Sequence, residues 1–161
     1  MSDLVEKLKI GFQDSDYRHA YCDEFLNSFI ATQIKILREQ RGWTQEKLAT
    51  FASLHQSQIS EMEDVSYSSW TLNTLRKLAE AFDLTLSFSF EEFGKRIKDI
   101  AFMERERLER SSFKDDDFFK QPIPPPSGYQ TGNVVGIHYQ PGTVSPSPPI
   151  SDGYKQDLVR G

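Results

Sequence analysis

WTQEKLATFASLHQSQISEME, residues 43–63, is the stretch that decides the fold. Thr44 offers a side-chain oxygen to the unpaired N–H groups of a helix start, and Gln45 and Glu46 follow in the first turn. Leu48, Ala49 and Ala52 then lie on one helical face. The small uncharged segment Ala52-Ser53-Leu54 makes a turn. Past it, Leu54, Ile59 and Met62 supply the inward positions of a second helix over residues 56–63, leaving Gln56, Ser57, Ser60 and Glu61 outward. The pattern predicts two short helices joined by a tight turn.

Upstream, residues 26–41 are helical by period: Ile30, Ile34 and Leu37 share a face with Ile36 beside it, and Gly42 ends the run. Asp14-Ser15-Asp16 is a start signal for the row Tyr17, Tyr21, Phe25 and Phe29, read as core or dimer packing. Ser2 caps a short helix from Asp3 to about Ile10, stopped by Gly11. Downstream, Thr71 caps a helix with the apolar set Leu72, Leu75, Leu78, Ala79 and Phe82. The period then changes to two: Leu84, Leu86, Phe88 and Phe90 alternate with Thr85, Ser87 and Ser89, which predicts a half-buried strand. A lone strand must find a partner. The same strand of a second copy is the simplest one, and residues 133–139, NVVGIHY, are the rival. Residues 91–110 carry a weak helical stripe.

The fold class expected is all-α: a compact bundle with one short strand near its end. The predicted organisation is a helical extension over residues 1–25, a central domain over 26–92, a further helix within 93–112 and a disordered tail over 113–161. All eight prolines lie in that tail. Its local preference is polyproline II, serving as a flexible linker or as a PxxP-type ligand at Pro122 to Pro125 for a protein partner.

The 161-residue chain has a net charge of −5, and residues 1–95 hold ten Lys/Arg against fifteen Asp/Glu. A nucleic-acid reader of this composition must rely on a local basic face. Cys22 is the only cysteine, so no intramolecular disulfide forms, and it reads as a small buried side chain. His19, His55 and His138 lack partners at ligand spacing, so no metal and no cofactor are expected. Neither an apolar run of membrane-spanning length nor a signal-like start is present. A soluble, reducing, cytoplasmic setting is the expectation.

Arg38-Glu39-Gln40-Arg41-Gly42-Trp43-Thr44-Gln45-Glu46-Lys47-Leu48-Ala49, then Ile59-Ser60 and Glu63, then Thr71-Leu72-Asn73-Thr74-Leu75 with Leu78-Ala79-Glu80-Ala81-Phe82, resemble the Cro/phage-repressor (XRE-like) helix-turn-helix DNA-binding family over about residues 28–86. The resemblance implies a lambda-repressor-like helical bundle. It also implies that Gln56, Ser57, Ser60 and Glu61 face base edges and that Gln45, Thr44, Lys47, Gln58 and Arg41 face phosphates. The chain departs from the family pattern at Ser53, where a turn glycine is usual, and at His55, where Ser or Thr commonly caps the second helix. It departs again in having no Lys or Arg from His55 to Asp64.

Lys35, Arg38, Arg41, Lys47, Arg76 and Lys77 are the basic candidates, each serving either phosphate contact or ordinary surface charge; for Arg38, pairing with an acid such as Glu63 is the competing role. The function these features predict is a sequence-specific transcriptional repressor on double-stranded DNA, binding a palindromic operator as a homodimer through residues 84–90. The alternative is a protein-binding module such as an antitoxin. No phosphate loop, metal set or nucleophile-base grouping points to an enzyme.

Overall fold

In the computed structural model, which describes residues 3–121, seven α-helices are present among the described residues: α1 (Asp3–Gly11), α2 (Ser15–Gln40), α3 (Gln45–Ala52), α4 (Gln56–Met62), α5 (Leu72–Ala81), α6 (Phe93–Ala101) and α7 (Asp117–Lys120). Three helices start where the sequence offers a short polar cap. Asp14 Oδ1 accepts from the Tyr17 N–H at 2.7 Å, Thr44 Oγ1 from Lys47 at 3.1 Å and Thr71 Oγ1 from Thr74 at 3.2 Å. The aromatic row and the periodic run after it are one helix: α2 is 26 residues long and unbroken across residues 25 and 26. At 1.5 Å per residue it is about 39 Å long. It ends at Gln40, and Gly42 just beyond it has a φ of 65°, the left-handed conformation that costs glycine least.

Two cores share this rod. In the first, Ile34 and Leu37 of α2 meet Leu48, Ala49 and Ala52 of α3, Ile59 and Met62 of α4, Leu78 of α5, and Phe82, all buried. The helical period assigned all of these inward; of its other inward positions, Ile30 and Leu54 pack on this core half-buried, Leu75 and Ala79 are half-buried, and Leu72 stays 47 % exposed. In the second, Val5 and Leu8 of α1 and Phe12 pack with Ile97 of α6 against Tyr21 and Cys22 of α2. Phe12 meets Tyr17, Tyr21 and Phe93 edge-on, with centroids 6.2, 5.8 and 6.1 Å away. The N-terminal half of the aromatic row therefore grips the α1–α6 pair. Burial pushes the Cys22 thiol above its ordinary pKa, in keeping with a packing role.

The expected strand is not formed. Residues 84–90 carry no regular secondary structure, because no described segment offers them a ladder partner and period-two patterning cannot supply one. The helix read over 91–110 is shorter than its stripe: α6 stops at Ala101 and a 3-10 turn follows at Arg105–Arg107. Residues 113–121, expected in the tail, contain a 3-10 turn at Phe113–Asp115 and then α7. The readings of Ser2, of Pro122 to Pro125 and of residues 133–139 lie outside the described residues.

After α6 the chain runs back along α2 as a strap. Gln33 Nε2 donates to the Leu108 carbonyl at 3.3 Å, Arg105 pairs with Glu39 at 3.2 Å, and the Arg110 N–H reaches Gln40 Oε1 at 3.2 Å. The Phe113 N–H then donates to the Asp83 carbonyl at 3.2 Å. On the opposite flank, Trp70 Nε1 donates to Asn27 Oδ1 at 3.0 Å, which ties the loop after α4 to α2.

Between α3 and α4, Ser53 adopts φ 52° and ψ 50°. A non-glycine residue is disfavoured there by roughly 1–2 kcal/mol. Ser53→Gly is expected to stabilise the domain by about 0.5–1 kcal/mol, the gain being reduced by the freer unfolded chain, and to raise the urea midpoint. An unchanged or lowered midpoint would mean that the serine side chain contributes something the geometry does not reveal.

Candidate nucleic-acid interface

Ile59 and Met62 are fully buried, which fixes the rotation of α4. At 100° per residue, Gln56, Ser60, Ser57 and Glu61 then occupy an outward arc of about 140°. All four side chains are exposed. The N-terminus of α3 stands beside the start of α4, and Thr44, Gln45, Glu46 and Gln56 line an open depression of about 490 Å³. The first-turn N–H groups of α3 other than the one Thr44 caps are a place where an anionic oxygen can be held.

A relay of side chains sets the geometry of this corner. Arg38 near the end of α2 pairs bidentately with Glu63, Nε to Oε1 at 2.5 Å and Nη2 to Oε2 at 2.9 Å. Both side chains are withdrawn from water, at 13 % and 5 % exposure. The third guanidinium nitrogen, Nη1, donates to the Trp43 carbonyl at 2.8 Å. Of the two roles open to Arg38, the structure shows pairing with Glu63. Glu63 Oε2 also accepts from Gln45 Nε2 at 3.0 Å, and Gln45 Oε1 accepts from Gln56 Nε2 at 2.9 Å. A carboxylate can only accept, so it dictates which end of the Gln45 amide faces it, and that in turn dictates the orientation of Gln56. Gln56 keeps its Oε1 and one Nε2 hydrogen free of these bonds. That acceptor-donor pair matches the N6/N7 edge of adenine.

The remaining candidates are placed less uniformly. Gln58 serves its own helix: its Oε1 accepts from the His55 N–H at 2.9 Å, while the Gln58 N–H donates to the His55 carbonyl at 3.0 Å. The Gln58 side chain thereby supplies the reverse half of a capping box, and the Gln58 N–H that a Ser or Thr cap would hold is bonded by the His55 carbonyl instead. Lys47 sits with its ammonium 5.9 Å from the ring centroids of both Trp43 and Phe51. Arg41 donates to the carbonyls of Phe82 at 2.9 Å and Arg110 at 3.4 Å and lies over the Phe82 ring at 5.3 Å. Burial lowers its pKa from the ordinary arginine value, partly countered by Asp115 and Asp83, and the group stays charged. Arg41 thus clamps the strap to the end of the first core.

The charge at the far end of α4 is acidic. Glu61 is exposed, and the Ser66 hydroxyl and backbone N–H both bond Asp64 Oδ1, at 2.6 and 2.8 Å. These bonds hold the Asp64 carboxyl below the usual range, the hydroxyl contributing most. Among the described residues no group of three or more His, Cys, Asp or Glu could hold a metal ion, and no helix is long and apolar enough to cross a membrane.

The Arg38–Glu63 pairing is one of the two roles open to Arg38 from the sequence, whereas the link from Glu63 through Gln45 to Gln56 has no signal there. Glutamines eleven residues apart carry no spacing signature for such a bond. Residues 34–88 match the family model described as helix-turn-helix, of the Cro/C1 type, a family of DNA-binding regulators. No curated protein and no solved structure matches the chain.

Proposed function

We propose that this helix-turn-helix segment reads a specific double-stranded DNA sequence as a transcriptional regulator, a repressor acting in the cytoplasm as a homodimer on a palindromic operator. The observation that carries the reading is the Gln45–Gln56 bond at 2.9 Å, anchored on the part-buried Arg38–Glu63 pair. It presents one glutamine amide, already oriented, beside a helix N-terminus suited to phosphate. Ser57, Ser60 and Glu61 extend the reading surface, with Glu61 an acceptor for cytosine N4. Gln45, Thr44 and Lys47 hold the backbone, and Gln58 and Arg41 contribute through the helix cap and the strap. With no basic residue on α4, affinity depends on few phosphate contacts and on the avidity of two copies.

Selection of bound sequences from a random DNA pool at low salt tests this, and enrichment of a two-fold symmetric site is expected. Gln56→Ala should relax preference at one adenine position by about 1–3 kcal/mol, with little change in affinity for unrelated DNA. No enriched site, or an unaltered preference in the variant, would end the reading.

A second reading is favoured by one surface. Phe113, Phe118 and Phe119 are 57 %, 78 % and 57 % exposed and stand among Asp115, Asp116 and Asp117. A protein-binding module, such as an antitoxin that holds a partner through this end of the chain, would use aromatic side chains in this way. A stoichiometric partner lost on changing all three phenylalanines to serine, by a protein with no DNA preference, would decide for it.

A further inference from the structure

We propose that Trp43 and Phe51 are positioning residues for DNA: they hold the Lys47 ammonium at the start of α3 for a phosphate, without cancelling its charge. Lys47 lies four residues from each of them and is the third residue of α3, the helix whose first residues line the open depression. Its ammonium stands 5.9 Å from both ring centroids. The two rings are themselves 4.8 Å apart, with planes tilted by 53°. A long helical side chain leans over the turn on the N-terminal side of its own Cα, which carries the lysine stem back towards the helix start.

The platform under the lysine is fixed from below. Trp43 packs half-buried on the first core, and its ring lies parallel to that of the buried Phe82, with centroids 5.9 Å apart and planes 7° apart. Three rings thus run from the core to the surface. Phe51, the outermost, is 48 % exposed, so it fills little of the core and presents much of its ring outside it.

The state of the neighbouring cations gives this arrangement its weight. Arg38 is paired with Glu63, Arg41 donates to the Phe82 and Arg110 carbonyls, and α4 carries no Lys or Arg. Among the described residues no ion pair involves Lys47, whose side chain is exposed. A carboxylate could hold an ammonium as well as a ring does, but it would neutralise it. A ring face attracts the cation through its quadrupole and carries no net charge, so the full positive charge stays available to a phosphate. A lysine already held in place also has fewer rotamers to lose on binding.

The inference deepens the DNA-reading proposal and rests on it. A double-mutant cycle of DNA affinity in the full chain tests it, on the enriched site and on an unrelated duplex, with melting temperatures measured alongside. Lys47→Met should weaken binding to both duplexes alike and reduce the salt slope of the association constant by about 0.9 for each copy bound. Phe51→Leu should weaken both by about two- to fivefold, and Phe51→Tyr, which keeps the ring face, should not. In the Lys47→Met background Phe51→Leu should cause no further loss. Lys47→Met with an unchanged slope, Phe51→Leu with unchanged affinity, or a Phe51→Leu loss of equal size in both backgrounds overturns the inference and leaves the regulator reading standing. So does a loss shared by Phe51→Tyr that follows the melting temperature, since it marks a structural role alone. A wild-type chain that binds neither duplex at low salt overturns both.

Discussion

Glu63→Ala is expected to destabilise the domain by about 2–3 kcal/mol, because it leaves the part-buried Arg38 guanidinium with no opposing charge. Arg38 is only 13 % exposed and cannot shed its proton. The Glu63 hydrogen bond is the main reason its pKa stands above even the ordinary arginine value. A loss of that size is a large part of the roughly 5–15 kcal/mol available to a domain, so chemical denaturation resolves it easily. The double variant Arg38→Met, Glu63→Leu should recover most of the loss, since apolar replacement of a whole buried pair is often neutral or better. DNA selectivity should not recover with it, because Gln45 then has no carboxylate to orient it. Equal stability loss in the single and double variants would show that the pair is not the source of the cost.

The second large effect is expected at Phe82, which is 2 % exposed. Its ring lies nearly parallel to that of Trp43, with centroids 5.9 Å apart and planes 7° apart, while Arg41 covers it and donates to its carbonyl. Phe82→Ala should cost about 3–5 kcal/mol through the cavity it leaves. Because Arg41 is also a hydrogen-bond donor to the strap, the damage should spread beyond the core. Limited proteolysis should cut residues 103–116 faster in the variant while α1 and α6 resist as before. A strap that stays protected would mean that Gln33, Gln40 and Glu39 hold it without Arg41.

What could be read from the residues beforehand follows a physical rule. Asp14, Thr44 and Thr71 act within three residues of themselves, and Leu48, Ala49, Ala52, Ile59 and Met62 sit at helical spacing, so local chemistry reveals them. The union of α1 with α6 was not visible, because spacing assigns each helix a buried face and says nothing about which distant face it meets. Phe12 carries no such signal, since it follows Gly11 outside any periodic run. The strand failed for the same reason that α1–α6 was missed: alternation specifies faces, and a ladder needs a partner. At the interface, the resemblance implies that Arg41 and Gln58 face phosphates, and their bonds within the chain are a separate matter. Arg41 donates to the Phe82 and Arg110 carbonyls and Gln58 accepts from the His55 N–H, backbone groups that every residue carries and no sequence pattern marks.

The continuity of α2 bears on what may be cut from this chain. The family match begins at residue 34, in the interior of a helix that starts at Ser15. A fragment beginning there would lose the Asp14 cap and five turns of helix, and with them Asn27, the acceptor for Trp70. The stretch shared with other proteins is therefore shorter than the structural unit, and a fragment intended to stand alone has to keep α1 as well, because a start at Asp14 would strip Val5, Leu8 and Phe12 from the second core.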